Sequence, residues 1–523
     1  MSDSPPGTTY VESQPPQTAP VTASGSRTYG QILKSSVLIG GSTVLNVAIG
    51  IVRTKAFALL LGPAGFGLMG LYTSVLNFAQ SVAGMGISSS GVRQIAAAVG
   101  SHETNRIART AAVLRRVSVA LGLIGAVLLV VLSRPVSKLT FDSYERAGPV
   151  ALLSLAVLFR IASDGQGALL QGLRRISDLV RIAVLGGLFG TVFSVVLVYL
   201  FRERGVVPAL IAMVGVSFLL SWWYSRSLGI ETPALLAHQV RQETTALLKL
   251  GFAFMASGML TMGAAYTVRI IIVRQIGLEA AGFYQAAWMV GGLYVGIILG
   301  AMGTDFYPRL TAAIGNREEC NRLVNEQAEI SLLLAGPGVI ATLTFAPVVV
   351  SLFYSAQFHQ AVGLLRWLCL GATFQVISWP MGFIIVARAR QWTFVMVELA
   401  YAIVYIISAW ICVRYLGLNG AGVAFLCSYI FHGAMIYPVV RWISGFRWSA
   451  VNRRLGILYL AAISLVFCGF YVLPPWLATT VGGLVLVANT WYSMRTLVRL
   501  ISPDRLPRPI RRLVAWMEPS APK

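Results

Sequence analysis

The sequence predicts an all-α, polytopic integral membrane protein of about fourteen transmembrane helices, built as two six-helix lobes plus two C-terminal helices. Three observations lead there. Of 523 residues, 56% are hydrophobic and only 11% are charged, less than half the charged share of a soluble domain. Fourteen apolar runs lie near 36–60, 68–90, 117–133, 148–170, 182–201, 206–224, 250–273, 284–306, 328–353, 362–387, 393–413, 420–440, 455–473 and 476–494. Each approaches the roughly 20 residues that a helix needs to cross a bilayer. Residues 50–100 can also be laid on 265–315 without a gap, so the opening hairpin recurs at the start of a second set of six runs.

In chain order, residues 1–32 are rich in Pro, Ser and Thr and read as a disordered cytoplasmic tail, without the pattern of a signal peptide. Residues 33–225 form the first lobe (helices 1–6) and 226–249 a cytoplasmic linker. Residues 250–441 form the second lobe (helices 7–12), 455–494 the last two helices, and 495–523 a basic cytoplasmic tail. Orientation follows from the basic residues. Alternate loops collect Arg106, Arg109, Arg115 and Arg116, then Arg174 and Arg175, then Arg453 and Arg454; the opposite loops hold few, among them Arg134, Lys138 and Arg204. The positive-inside rule puts both termini in the cytoplasm. It also assigns the net charge of +22 to topology and anionic lipid headgroups instead of nucleic acid.

The repeat pairs Gly62 with Gly277, Gly67 with Gly282, Val75 with Val290, Ala97 with Ala312 and Gly100 with Gly315. Both copies run in the same direction, which describes two lobes related by an axis along the membrane normal.

The first run holds Arg53 and Lys55 inside apolar sequence and ends in Gly62-Pro63-Ala64-Gly65. A cation at bilayer depth costs at least ~2.5 kcal/mol, so it faces a protein interior or a wet cavity. Ser42 or Thr43, Asn46, Gly50 and Arg53 recur at three- and four-residue steps and share one face, which reads as cavity lining. Lys55 points elsewhere and reads as a snorkelling interfacial lysine. On the seventh helix Gly258, Met262, Ala265 and Arg269 share a face, and Arg269 aligns one position from Arg53. Two arginines then look across the interlobe space at similar depth, an arrangement suited to phosphate because the guanidinium is planar and keeps its charge.

Other groups at bilayer depth have two readings each. Arg160 and Asp164 sit four apart and form either a neutral structural pair or a gating or proton-carrying site. Asp305, one turn from Arg309, and Glu398, without a sequence-local partner, are candidates for coupling. Arg366 reads as snorkelling at the outer mouth of the tenth helix, and His432 as an interior histidine or a titrating group. Asn46, Asn77, Gln80 and Ser89 are candidates for sugar contacts. The sequence has no Gly-x-x-x-x-Gly-Lys-Ser/Thr loop, no His-Glu-x-x-His and no metal-like cysteine cluster, and its loops are too short for a catalytic domain. This points to a transporter without cofactor or metal.

The run KAFALLLGPAGFGLMGLY, followed by GMGISSSGVRQIA, resembles the first hairpin of the bacterial O-antigen and polysaccharide flippases, the Wzx-type translocases. These belong to the multidrug/oligosaccharidyl-lipid/polysaccharide (MOP) exporter superfamily. The resemblance implies a two-lobed, V-shaped transporter in the bacterial inner membrane with a central cationic cavity. Its substrate would be a polyprenyl-pyrophosphate-linked oligosaccharide, and its partners a polysaccharide polymerase and chain-length proteins. Arg53 and Arg269 match the basic positions on the first helix of each lobe. Fourteen helices resemble the lipid II flippase branch, but the second helix lacks the acidic residue typical there. A drug/cation antiporter of the same superfamily is the other alternative, and it calls for an acidic cavity.

Overall fold

The structure, a computed structural model, describes residues 22–100, 104–230, 237–301 and 306–500. Among the described residues every regular element is a helix and no strand occurs. Hydrocarbon offers a backbone no water, and an α-helix satisfies its own hydrogen bonds.

The chain opens with α1 (Thr22–Ala83), which is bent at Gly62. There follow α2 (Ile87–Gly100), α3 (Thr104–Val131), the short α4 (Ser133–Phe141) and α5 (Ala147–Leu152), α6 (Ser154–Gly172), α7 (Ile176–Phe201) and α8 (Val206–Arg226). The second hairpin is α9 (Ala237–Gln275) and α10 (Leu278–Ala301). It leads into α11 (Tyr307–Ala312), α12 (Arg317–Thr344), α13 (Ala346–Phe353), α14 (Ala361–Ala387), α15 (Gln391–Leu416), α16 (Leu418–Ser444), α17 (Ala450–Val472) and α18 (Pro475–Leu500).

Nine stretches of the described residues are long and apolar enough to cross a membrane. Two of them are broken. Gly41–Ala83 bends at Gly62 (φ 62°, ψ −175°), a conformation open essentially only to glycine, and Pro63 starts the second arm with its φ already helical. The 51 residues of Ile176–Arg226 are interrupted by a 3-10 turn at Arg202–Gly205. A straight helix of that length would reach ~77 Å against a hydrocarbon core of ~30 Å, so the break is where the chain turns back. The chain is a multi-pass membrane protein.

Three apolar cores hold the helices together. One joins the second arm of α1 to α3, α6 and α8 through Leu68, Leu114, Val157 and Val214. Another joins α12, α14, α16 and α17 through Leu333, Val376, Ile436 and Tyr459. The third bridges the amino- and carboxy-terminal helices, with Phe57 and Phe66 of α1 packed among Tyr284, Tyr354, Phe358 and Leu365. Phe66 stands edge-on to Tyr354 and Phe358 at 5.5 and 5.6 Å, the favoured aromatic geometry. Beside it the backbones touch. A Cβ on Gly67 would overlap Leu278 and Gly282, and one on Gly282 would overlap the Pro63 carbonyl. The two glycines aligned by the repeat thus meet each other.

The last two helices are packed into the body. The Tyr459 ring fills the space above Gly336 of α12, and its hydroxyl bonds Ser493 Oγ at 2.5 Å. Asn452 Nδ2 donates to the Asn325 carbonyl at 2.8 Å.

Two boundaries differ from expectation. α1 begins at Thr22, inside the stretch read as an unstructured tail. α9 begins at Ala237, so the second half of the expected linker is helix, continuous with the span that follows. The reason is amphipathic: Leu247 is fully buried in the core of α3 and α6, and Glu243 pairs with Arg109 at 3.3 Å. Residues 1–21 and the basic tail from 501 onward lie outside the described residues.

Gly282→Ala is expected to destabilise the protein by about 1–3 kcal/mol through overpacking. Gly456→Ala, whose Cβ enters open space, is expected to be neutral or slightly stabilising. Thermal unfolding in detergent separates the two, and equal midpoints would refute the backbone contact.

Candidate functional site

α9 runs along the second arm of α1, with small residues at the points of approach. A Cβ on Gly251 would overlap the Met85 carbonyl, one on Gly258 would stand 2.9 Å from Ser81 Oγ, and Gly263 faces Phe78. One further step along this seam is Arg269. Its Nη1 donates to Ser74 Oγ, which in turn donates to the Gly70 carbonyl at 2.8 Å. The guanidinium carbon lies 5.9 Å from the Tyr284 ring centre, a cation–π contact. Its Nε is buried with no acceptor, and no carboxylate pairs with it among the described residues. A desolvated cation held only by neutral groups is a costly arrangement, and an anion would complete it.

Arg53 stands on the first arm of α1, nine residues before Gly62; Arg269 stands eight residues before Gly277. The two therefore lie ~12–14 Å from equivalent turns, both made by glycines with positive φ (62° and 123°). Arg53 is half-buried and makes no hydrogen bond or ion pair among the described residues.

The remaining sequence candidates separate into engaged and open groups. Asn46 donates Nδ2 to the Ser42 carbonyl at 2.9 Å and presses its Oδ1 against Gly187 of α7. Part of the face expected to line the cavity is therefore used for packing, because Gly187 leaves room for an asparagine. Gln80 donates Nε2 to Asp164 Oδ2 at 2.5 Å, and Asp164 also pairs with Arg160 at 3.6 Å. Asn77 and Ser89 are exposed. Glu398 is half-buried on α15 and without a hydrogen bond or ion pair among the described residues. Asp305 lies outside the described residues.

Two readings are corrected, and a third is narrowed. Lys55 does not snorkel: its Nζ donates to the Ser351 carbonyl of α13 at 2.7 Å and ties α1 to the carboxy-terminal helices. Arg366 does not snorkel either, since its guanidinium lies 3.7 Å from the Phe470 ring of α17. His432 is interior, but its Nδ1 has no partner among the described residues.

The sequence reading missed a row of buried aromatic hydroxyls. From Arg269 it passes to Tyr284, whose hydroxyl shares a hydrogen bond with Tyr405 at 3.2 Å. Tyr405 stacks on Tyr401 (5.9 Å), Tyr429 meets Tyr401 at a tilt (5.0 Å), and His432 stands edge-on to Tyr401 at 5.6 Å. Glu398 is one turn before Tyr401. The signal was present as Glu398-x-x-Tyr401-x-x-x-Tyr405 and Tyr429-x-x-His432, spacings that put each set on one helix face.

Beside this row is a cavity of ≈ 450 Å³ between α10, α14 and α16, lined by Trp288, Trp379, Phe425, Leu368 and Gln375. On α10, Gly292 and Gly296 face open space. The first arm of α1 is bare as well, with Val44 71% and Val52 65% exposed. The seam between α9 and the second arm of α1 is tight at Gly251 and Gly258 and widens at Phe78 and Gly263 into a second cavity of ≈ 520 Å³ that Tyr266, Thr267 and Trp410 also line.

Residues 56–363, more than half of the chain, match the model of a family described as polysaccharide biosynthesis protein. The lipid III flippase of Escherichia coli (strain K12) is 20% identical over 419 residues, covering 76% of this chain and 95% of that protein. Among solved structures, a multidrug resistance MATE family transporter of the MOP superfamily in its inward-facing conformation superposes with a TM-score of 0.63 at 18% identity, over 76% of this chain and 94% of that one. The lipid II flippase MurJ, inward closed, gives 0.63 at 13% identity, over 89% and 100%. These likenesses identify the fold.

A double-mutant cycle on Gln80→Ala and Asp164→Asn is expected to return a coupling of about 1 kcal/mol in unfolding free energy. Additive effects of the two substitutions would show that the contact carries no energy.

Proposed function

The chain belongs to the family of polysaccharide biosynthesis proteins, and from that premise we propose that it moves a polyprenyl-pyrophosphate-linked oligosaccharide from the cytoplasmic to the outer leaflet of the bacterial inner membrane. It acts as a transporter by alternating access, not as an enzyme. Reading the two broken stretches as two passes each, and adding α9, α10 and α18, gives fourteen spans with both termini in the cytoplasm. The lobes are residues 33–225 and 250–441; one apolar core is built mainly from α1, α3, α6 and α8 with α9 added, and another mainly from α12, α14 and α16 with α17 added.

The observation that carries the reading is the guanidinium of Arg269, whose buried Nε has no acceptor and which no carboxylate pairs among the described residues, with Arg53 at a matching distance from its own turn. A glycan cannot cross hydrocarbon because its hydroxyls would lose their hydrogen bonds. A wet space between lobes replaces the water, Arg53 and Arg269 hold the pyrophosphate, and Asn77 and Ser89 meet sugars. Asn46 and Gln80 act behind them, fixing α1 against α7 and α6. The polyprenyl chain stays in lipid beside the uncovered first arm of α1, where Val44 and Val52 are exposed. The Gly67–Gly282 contact and the Lys55–Ser351 bond close the outer end, and rocking of the lobes opens it.

Export is downhill in the membrane potential, by roughly 2.3 kcal/mol per negative charge at 100 mV. Where a proton is exchanged, Glu398 is the carboxylate placed for it, since Asp164 is tied to Gln80 and Arg160.

Each of Arg53→Ala and Arg269→Ala is expected to lower export by about tenfold or more, the loss of a charge-assisted contact. The double variant should abolish surface glycan and accumulate its lipid-linked precursor while inserting normally. Arg269→Lys, a point charge in place of a fork, should restore only part of the activity. Normal surface glycan in the double variant sinks the clamp. Unaltered glycan with raised drug sensitivity on deletion would identify a cation antiporter instead.

A further inference from the structure

Away from the interlobe space, α3, α6 and α8 form a groove of ≈ 380 Å³ at the end of the bundle that the charge bias assigns to the cytoplasm. α6 supplies its floor through Ala162 and Gln166, α3 one wall through Arg115 and Val119, and α8 the other through Trp222 and Arg226. Arg115 reaches across it. Its Nη2 donates to the Ser225 carbonyl at 2.9 Å and the Ser225 hydroxyl at 3.0 Å, in the last turn of α8. Both bonds use the same nitrogen. The Arg226 guanidinium lies 5.3 Å from the Trp222 ring centre and bonds nothing else among the described residues. No carboxylate pairs with either arginine among the described residues. On the floor, Gln166 accepts from Ser221 Oγ at 2.5 Å through Oε1, which leaves its amide NH₂ for a second acceptor.

The groove has two chemistries in sequence. Its mouth is cationic, with two guanidinium groups and an amide. Its flank toward the bilayer is apolar: Val119 is 45% exposed and Trp222 42%, and the neighbouring Trp223 is 68% exposed. Exposed tryptophans at a span end mark headgroup depth, and basic pockets between helices at the cytoplasmic face recognise anionic lipid headgroups. A free phosphate would use the mouth and leave the apolar flank empty; a phospholipid uses both. We propose that this groove binds an anionic phospholipid, with its headgroup phosphate between Arg115 and Arg226 and its acyl chains along Val119 and Trp222. The lipid bridges α3 to the end of α8, where Arg115 is the existing tie. Neither arginine belongs to the proposed pyrophosphate clamp, so this site stands or falls separately from the transport reading.

The test uses the full chain purified in neutral detergent and titrated with phosphatidylglycerol, phosphatidylcholine or sodium phosphate. Retained lipid is read by native mass spectrometry and stability by thermal unfolding. Phosphatidylglycerol is expected to be retained and to raise the unfolding midpoint, while the other two do neither. Arg226→Gln, which loses no hydrogen bond, should bind about fivefold more weakly, and the double variant with Arg115→Gln about thirtyfold more weakly. Equal retention of phosphatidylcholine, an equal gain from sodium phosphate, or unchanged affinity in Arg226→Gln would each overturn the assignment.

Discussion

Two backbones in contact organise this molecule. At Gly67 and Gly282 the absence of side chains lets the turn of the first hairpin rest on the turn of the second, and only glycine allows so close an approach. Around that point gather Phe66, Tyr354 and Phe358, which seal the same end with edge-on rings. The Lys55 bond to Ser351 lies nearby. α9 meets the second arm of α1 through Gly251 and Gly258, while Val44 and Val52 on the first arm of α1 and Gly292 and Gly296 on α10 stay uncovered.

The charges within the bundle are sorted by how completely their neighbours answer them. Asp164 has an amide and a guanidinium, and is satisfied in place. Arg366 has the face of Phe470 and a carbonyl, so it serves packing of α17. Arg269 has a hydroxyl and a ring but no opposite charge among the described residues. The difference between these groups is one of electrostatic balance.

Much of the architecture was legible because periodicity and glycine placement are properties of the chain itself. The hairpin repeat aligned Gly62 with Gly277, and both adopt positive φ. It aligned Gly67 with Gly282 without revealing that they touch, since a contact between two distant segments leaves no local trace. The same limit explains the site residues. Helix periodicity puts Asn46 on a face with Ser42, Gly50 and Arg53, but whether that face meets water or Gly187 depends on α7. Gln80 and Asp164 are distant in sequence, and nothing in either neighbourhood announces the other. The tyrosine row was hidden for another reason: a buried tyrosine and a core phenylalanine look alike until the hydroxyl's partner is known.

α9 adds a mechanical consequence. It is unbroken from Ala237 to Gln275, so the amphipathic turn that carries Glu243 and Leu247 is the same rigid body as the segment that carries Arg269. From Leu247 to Arg269 the rise is ~33 Å, and no proline interrupts it. Such a rod is a lever. A small tilt where it rests on α3 swings the guanidinium at its other end, so the surface around Arg109 and Glu243 becomes a handle from which a group on one side of the bilayer can reposition a charge deep inside it.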